Sequence, residues 1–481
     1  MANKVVNSVL WSSLERVISF GVTTIISIVL ARLLSPTYYG IVALAIVFVE
    51  IFTNVLSHGL GSALVQKKNP SEEDYSTIYI LNILISLVGY AIMFFAAPYI
   101  ASFYDMSELV AITRVLSLLI PFAAVSSVQY CYLQKHLQFY KYCIITLGCT
   151  TLSGAAGVIA AYNGLEVWAL VIYYVSRQAI QSVILVFISG WKVRFRYSKQ
   201  SAHELLPYGT KTMLTTFVGD FEMNLRSLIV GKVFTPADLA FYNMGSNYPK
   251  MIMSNVSSAV GRVIFPFLAN IQDDTARFKT AMRKAINCNA YLITPVLVGF
   301  MAISPTFFHY FYTDKWMSAV PFLQILTIAF ITRPYENVCN QAIMASGRSN
   351  IIMMDMIITK TFSIAMILVA VFAFHSVLFI AWGVALTTVI GVLLFAFQVK
   401  NYFSYSIKEQ LQDVLPVFVL TAVMYIGVTL VGLIDLHPLL SMIVQILVGM
   451  MIFWAGSTIF SFPAYSYLLT SILHIGKKKG N

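Results

Sequence analysis

Apolar runs of about 20 residues or more, each long enough to cross a hydrocarbon core at helical rise, recur from end to end of the chain with short polar gaps between them. The pattern predicts fourteen spans, at about 9–34, 39–64, 76–101, 109–133, 142–162, 167–190, 205–231, 239–266, 285–308, 318–345, 350–373, 377–399, 410–433 and 438–460. Apolar and polar positions do not alternate over segments of about ten residues, as they would in a membrane barrel of strands. The expected fold is an all-α polytopic membrane protein.

Two breaks between spans are versions of one another. Leu30 to Gly40 reads Leu-Ala-Arg-Leu-Leu-Ser-Pro-Thr-Tyr-Tyr-Gly, and Val230 to Ala240 reads Val-Gly-Lys-Val-Phe-Thr-Pro-Ala-Asp-Leu-Ala, which aligns Arg32 with Lys232, Ser35 with Thr235 and Pro36 with Pro236. Proline has no amide hydrogen and disfavours helix in the residue before it, so each copy closes one helix and opens the next. A second repeat agrees: Pro121 and Pro334 are each followed, fourteen residues later, by a base, Lys135 and Arg348. Helices one to six therefore correspond to seven to twelve. Both halves start on the same side and hold an even number of spans, which makes them parallel repeats, not inverted ones. The expected organisation is an N-terminal lobe over 1–190, a basic cytoplasmic linker over 191–204, a C-terminal lobe over 205–403, and two further helices with a basic cytoplasmic tail over 404–481.

Charge changes this picture by giving it a direction. Only 11% of residues are charged and 59% are hydrophobic, where a soluble domain carries about 25% charged residues. The net charge of +11 would suggest nucleic acid in a soluble protein; here topology accounts for it, and no nucleic-acid partner is expected. With the N-terminus inside, nineteen bases fall on inner segments, among them Lys67, Lys135, Arg194, Arg196, Lys279, Arg283 and Arg348, and only Lys232 and Lys315 on outer loops. That bias places both termini in the cytoplasm. The loops are too short for an extramembrane domain and contain no Gly-rich phosphate loop, which argues against an ATPase within the chain. The five cysteines fit neither a disulfide framework nor a zinc site. Ser153-Gly154-Ala155-Ala156-Gly157 predicts close helix packing, and Tyr38, Tyr39, Tyr99, Tyr104, Tyr162 and Trp168 predict an interfacial belt at the outer boundary.

Three stretches carry a family likeness. The pattern at 30–40, Phe265-Pro266-Phe267-Leu268-Ala269-Asn270-Ile271-Gln272-Asp273-Asp274, and Asp314-Lys315-Trp316 leading to Pro321-Phe322-Leu323-Gln324 resemble Wzx-type polysaccharide flippases, the colanic-acid-exporter branch in particular. The resemblance implies the two-lobed arrangement shared with multidrug and toxin extruders and lipid II flippases. It implies a transporter, not an enzyme, that carries undecaprenyl-pyrophosphate-linked oligosaccharide from the inner to the outer leaflet of a bacterial plasma membrane, without a cofactor. A polysaccharide polymerase and chain-length machinery are the partners it implies. The motifs lie mainly at helix ends and name no binding residue.

Candidate site residues come instead from charges inside the spans. Ten bases remain there, Arg16, Arg32, Arg114, Arg177, Lys211, Arg226, Lys250, Arg262, Arg333 and Lys360, against six acids, Glu15, Glu50, Asp220, Glu222, Glu336 and Asp355. Each costs about 2.5–3.5 kcal/mol at the bilayer centre by insertion scales, so they are expected to face a wet cavity or each other. The excess of bases suits a pyrophosphate, and arginine offers forked donors for its oxygens. Arg177, Lys211, Lys250 and Lys360 have no acid three or four residues away and lead the expected cationic cavity, with Arg114, Arg226 and Arg333 behind them. Glu222 with Arg226, and Arg333 with Glu336, read equally well as structural ion pairs. Asp220, then Glu50, are the acids expected to couple transport to an ion, and Glu15 with Arg16 form a candidate inner gate. No catalytic or metal-ligating residue is expected. The alternatives are a multidrug and toxin extruder-type antiporter, against which the basic cavity argues, and a membrane glycosyltransferase or polymerase, against which the short outer loops argue.

Overall fold

The computed structural model describes the backbone of residues 2–460 and 462–467, and the side chains of these except 2–10, 12–17, 57–58, 222, 255–263, 265–266 and 349. Glu15, Arg16, Glu222 and Arg262 therefore lie outside the described side chains. The chain is all-helical, with no strand among the described residues. Its contacts group it into two compact units, Met1–Ala240 and Phe241–Asn481.

In the first unit lie α1 (Ala2–Leu33), α2 (Pro36–His58), α3 (Leu60–Gln66), α4 (Glu72–Tyr104), α5 (Glu108–Leu116), α6 (Leu119–Lys135), α7 (Phe139–Tyr162), α8 (Val167–Ile188) and α9 (Lys199–Val233). The division falls within α10 (Pro236–Ala269); the second unit continues through α11 (Thr275–Phe307), α12 (Ala319–Phe330), α13 (Arg333–Ala345), α14 (Ser349–Val369), α15 (Val377–Phe403), α16 (Ile407–Gly432) and α17 (Pro438–Ile459). Among the described residues, ten helical segments are long and apolar enough to cross a membrane, by length and composition.

The proline signatures do locally what their chemistry dictates. Ser35 caps α2, its hydroxyl accepting from the Thr37 amide at 3.3 Å, with Pro36 in the first turn where its missing donor costs nothing. In the second copy Thr235 and Asp238 cap reciprocally: Asp238 accepts from the Thr235 amide at 3.1 Å and hydroxyl at 2.6 Å, and the Asp238 amide donates to the Thr235 hydroxyl at 3.2 Å. The two copies also touch. A Cβ added at Gly40 would run into the Pro236 backbone, so the bare glycine is what lets the start of α2 approach the α9–α10 turn.

Two expected spans are broken where the second repeat falls. The span at 109–133 divides between α5 and α6 at Ser117–Leu118, and that at 318–345 divides between α12 and α13 at Ile331–Thr332. Pro121 and Pro334 sit in the first turn after each break, where proline is tolerated; one turn deeper its ring would clash with a preceding carbonyl.

Small residues seat α7 as expected. A Cβ at Gly157 would lie 3.0 Å from Tyr173 Cβ and 3.2 Å from the Ala169 carbonyl on α8, and one at Gly154 would meet Ile26 of α1. In the second unit α11 packs on α16, which packs on α17, while α12 and α14 pack on α15. Trp316 is fully buried against Phe241 and Tyr312 (ring centroids 5.9 and 6.2 Å), so this part of the Asp-Lys-Trp motif is core. Tyr104 departs from the expected belt: it is buried and donates to the Leu228 carbonyl at 3.2 Å, whereas Tyr99 and Tyr162 are exposed. A phenol that finds a backbone acceptor inside has no need of the interface.

Candidate functional site

In the first unit Arg177, on α8, is the predicted base that stands among polar side chains of neighbouring helices. Arg177 is half-buried beside Tyr173, within electrostatic reach of Cys149 on α7, and Tyr174 lies in the fields of both Arg177 and Glu50. Sequence spacing alone could not bring Glu50, on α2, to the same phenol as Arg177. One turn along, Gln178 donates to Ser126 of α6 at 3.2 Å, and Gln181 donates to the Tyr142 hydroxyl at 3.4 Å. Tyr142 in turn packs on Tyr130, ring centroids 4.7 Å apart. Helices α6, α7 and α8 thus share a seam of phenols, amides and one guanidinium, which offers donors to an oxygen-rich ligand without a carboxylate on α8 to neutralise the base.

Other predicted residues stand elsewhere. Arg114 is committed locally: its Nε donates to the Phe94 carbonyl at 3.3 Å and its guanidinium lies 4.2 Å from the Phe94 ring centroid. Lys211 is exposed on α9 and makes no ion pair among the described residues. On the same helix Arg226 is half-buried, and Asp220 has a carboxylate oxygen shielded from solvent with no hydrogen-bond partner among the described residues. Glu50 is exposed on α2.

In the second unit Arg333 pairs with Glu336 one turn on, 3.0 Å apart, and Glu336 also accepts from Thr332 at 3.3 Å. Glu336 is buried and Arg333 half-exposed, the arrangement of an anchor whose base still reaches outward. Lys250 is exposed on α10 and Lys360 half-buried on α14. Buried Asp355 accepts from Gln398 of α15 through one oxygen, and its other oxygen has no hydrogen-bond partner among the described residues.

Charge networks tie helix ends within each unit. Lys67 sits between Asp74 and Glu204, 2.9 Å from each, and the bond to Glu204, then that to Asp74, holds its ammonium pKa above the ordinary lysine value. Lys135 donates to the Val65 carbonyl at 2.8 Å and to that of Lys67. In the second unit Lys279 meets Glu409 at 3.0 Å, and Arg283 forks onto Asp413 at 2.6 and 2.9 Å, closing α11 on α16. Sequence reasoning passed over this network, although its signal was present: bases at 279 and 283 and acids at 409 and 413 share a spacing of four. It had no signal for Gln129, fully buried with an amide that finds no partner among the described residues, or for Asn82, which donates to Ser127 at 2.9 Å.

An apolar cavity of about 520 Å³ lies between α2, α4 and α9, lined by Phe48, Tyr99, Phe103, Leu228 and Ile229 and edged by Lys232. Lys232 is held there by Asp105 at 2.9 Å. Among the described residues no group of three or more histidines, cysteines or carboxylates is placed to hold a metal ion.

Ten apolar helical segments, with no strand among the described residues, define a multi-pass membrane protein, and its fold is that of the lipid II flippase MurJ in an inward closed conformation: the two match with a TM-score of 0.72 over 96% of this chain and 100% of the other, at 16% identity. The chain belongs to the polysaccharide biosynthesis protein family, whose model matches residues 29–321, and the resemblance to Wzx-type flippases holds. It is 25% identical over 382 residues to the teichuronic acid biosynthesis protein TuaB of Bacillus subtilis (strain 168), covering 79% of this chain and 78% of that one. It is 22% identical over 353 residues to the lipopolysaccharide biosynthesis protein WzxC of Escherichia coli (strain K12), covering 73% and 72%.

Proposed function

We propose that this protein is a flippase that moves undecaprenyl-pyrophosphate-linked oligosaccharide repeat units from the inner to the outer leaflet of a bacterial plasma membrane, by alternating access, for cell-surface polysaccharide synthesis. Its membership of the polysaccharide biosynthesis family over residues 29–321 carries the reading. A pyrophosphate with its sugars is too polar to cross hydrocarbon unaided, and a hydrated path through an alternating-access carrier provides a route without covalent chemistry. The polyprenyl tail stays in lipid throughout. In this reading α1, α9, α10 and the pair α12 and α13 cross the membrane beside the ten more apolar segments, giving fourteen crossings with both termini cytoplasmic. Their polar residues are what a water-lined transport route needs. Arg177, with Lys211, Lys250 and Lys360, supplies the positive field; Arg114, Arg226 and Arg333 support it, Asp220 and Glu50 serve ion coupling, and Glu15 with Arg16 the inner gate. A polysaccharide polymerase receives the product on the far side.

The test is leaflet-specific. In cells lacking the gene, lipid-linked glycan accumulates, and a lectin applied to right-side-out spheroplasts fails to label it until the parent gene is restored. Unchanged outer-leaflet labelling with increased drug sensitivity would assign the protein to drug extrusion. Elongation or cleavage of a lipid-linked glycan by the purified protein would assign it to the synthetic enzymes.

A further inference from the structure

The connection from α8 to α9 is built unlike a solvent loop. From Val167 to His203 the chain has no acid, and Trp191 to Lys199 reads Trp-Lys-Val-Arg-Phe-Arg-Tyr-Ser-Lys, bases alternating with apolar or aromatic residues. The segment is non-helical over 191–198, and it is pinned at both ends. Trp191 is buried against Tyr75 and Tyr79 at the start of α4, ring centroids 6.0 and 5.7 Å away, and the Ser198 amide donates to the Thr77 hydroxyl at 3.0 Å. Phe195 also lies on Tyr79, at 6.2 Å, so Trp191 and Phe195 meet the same ring of α4.

Two exposures then need explaining. Phe195 is 79% exposed and Tyr197 57%, directly after the exposed Phe187 and Ile188 that end α8. Lys192, Arg194, Arg196 and Lys199 are exposed too, and none makes an ion pair among the described residues, while the nearby acids Asp74 and Glu204 are taken by Lys67. Because α8 is apolar enough to span the membrane and ends at Ile188, the strap lies at one membrane surface whichever way the protein is oriented. Aromatic side chains favour that interface, and unpaired bases beside them sit at the depth of lipid phosphates.

We propose that Trp191–Lys199 is a docking strap for anionic phospholipid headgroups, with Lys192, Arg194 and Arg196 on the phosphates and Phe195 and Tyr197 set among the upper acyl carbons. The inference is independent of the glycan carried. The strap's two pinned ends make it a fixed platform, so it holds lipid against the start of α4 and α9 and seats these two helices in the leaflet.

The experiment uses the purified full-length protein, stripped of lipid in detergent and titrated with phosphatidylglycerol or phosphatidylcholine, with bound lipid counted by native mass spectrometry. The parent retains phosphatidylglycerol in preference to phosphatidylcholine, less so as salt rises. Lys192→Gln, Arg194→Gln and Arg196→Gln each weaken phosphatidylglycerol binding about fivefold, Arg194→Lys retains it, and Lys408→Gln, an exposed base on another helix, leaves it unchanged. The variants are compared with the parent at matched melting temperature without lipid, so that a folding defect is not read as lost binding. Parent-like binding by the three Gln variants, or equal retention of the two lipids, would overturn the proposal. So would selective displacement of phosphatidylglycerol by a polyprenyl pyrophosphate, which would make the strap a substrate-capture site.

Discussion

Glycines at helix contacts give a graded test of the packing. At Gly40 an added Cβ would fall 2.8 Å from Pro236 Cα and closer still to its carbonyl carbon and oxygen, all backbone atoms that cannot rotate away. At Gly245, on α10, it would meet Phe322 Cβ at 2.7 Å, the Leu323 amide nitrogen at 2.8 Å and the Ala319 carbonyl at 2.9 Å, whereas at Gly148 on α7 nothing lies within 4 Å. Overpacking costs about 1–3 kcal/mol or more when backbone must shift, and replacing a helical glycine by alanine returns about 1 kcal/mol of propensity. Gly148→Ala is therefore stabilising by up to about 1 kcal/mol, Gly245→Ala destabilising by about 1–2 kcal/mol, and Gly40→Ala by about 3 kcal/mol because it meets three atoms of one residue's backbone. At about 1 °C per kcal/mol for a chain of 481 residues, the variants separate by a few degrees in a thermal melt of detergent-solubilised protein followed by size-exclusion chromatography. A Gly40→Ala protein that melts with or above Gly148→Ala would refute the close approach of the two proline signatures.

Three further outcomes follow from particular contacts. Removing the Arg283 fork with Arg283→Ala leaves Asp413 with only the Tyr405 hydroxyl as a donor among the described residues, 2.6 Å away, and costs about 2 kcal/mol in the same melt, and Arg283→Lys recovers only part of it because lysine has no fork; a double-mutant cycle with Asp413→Asn that shows no coupling would separate the pair. Neutralising Arg177, Lys211, Lys250 or Lys360 lowers reconstituted flipping with protein abundance intact, while abundance falling in step with activity would mark a structural base. Single cysteines at Ser198 and Ser346 resist an impermeant thiol reagent added to intact cells and one at Ser107 reacts; external labelling at Ser198 would invert the orientation.

The apolar pattern revealed the helices well because a membrane imposes a length of about 20 residues, a signal that survives single polar substitutions. It did not reveal the breaks at Ser117–Leu118 and Ile331–Thr332: the first is set among apolar residues, the second has Arg333 and Glu336 just beyond it within a run that is otherwise long enough for a span, and the prolines that mark the breaks sit inside the following helix. Pairing was legible only along one helix. Arg333 with Glu336 follows from a spacing of three, but the acceptor for Arg114 is the carbonyl of Phe94, twenty residues earlier on another helix, and no side-chain pattern announces a carbonyl. The convergence of Glu50 and Arg177 near Tyr174 likewise depends on how α2 packs against α8.

These contacts divide the intramembrane bases by what satisfies them. Arg114 commits its Nε to a carbonyl and lays its guanidinium on the face of a ring, which fixes it toward Phe94, and Arg333 has its charge balanced at 3.0 Å by Glu336, which weakens its field at a distance. Arg177 differs in kind, because its nearest partners on α8 are phenols, which accept hydrogen bonds without cancelling charge. Glu50, on α2, lies in reach of the same phenol. A guanidinium held in place by neutral groups keeps both its orientation and its field, and those are the two properties a pyrophosphate site requires. Sequence spacing already places Arg177 ahead of Arg114, and the packing of the first unit adds a physical distinction: the Arg114 guanidinium lies on a ring, while that of Arg177 has phenols beside it.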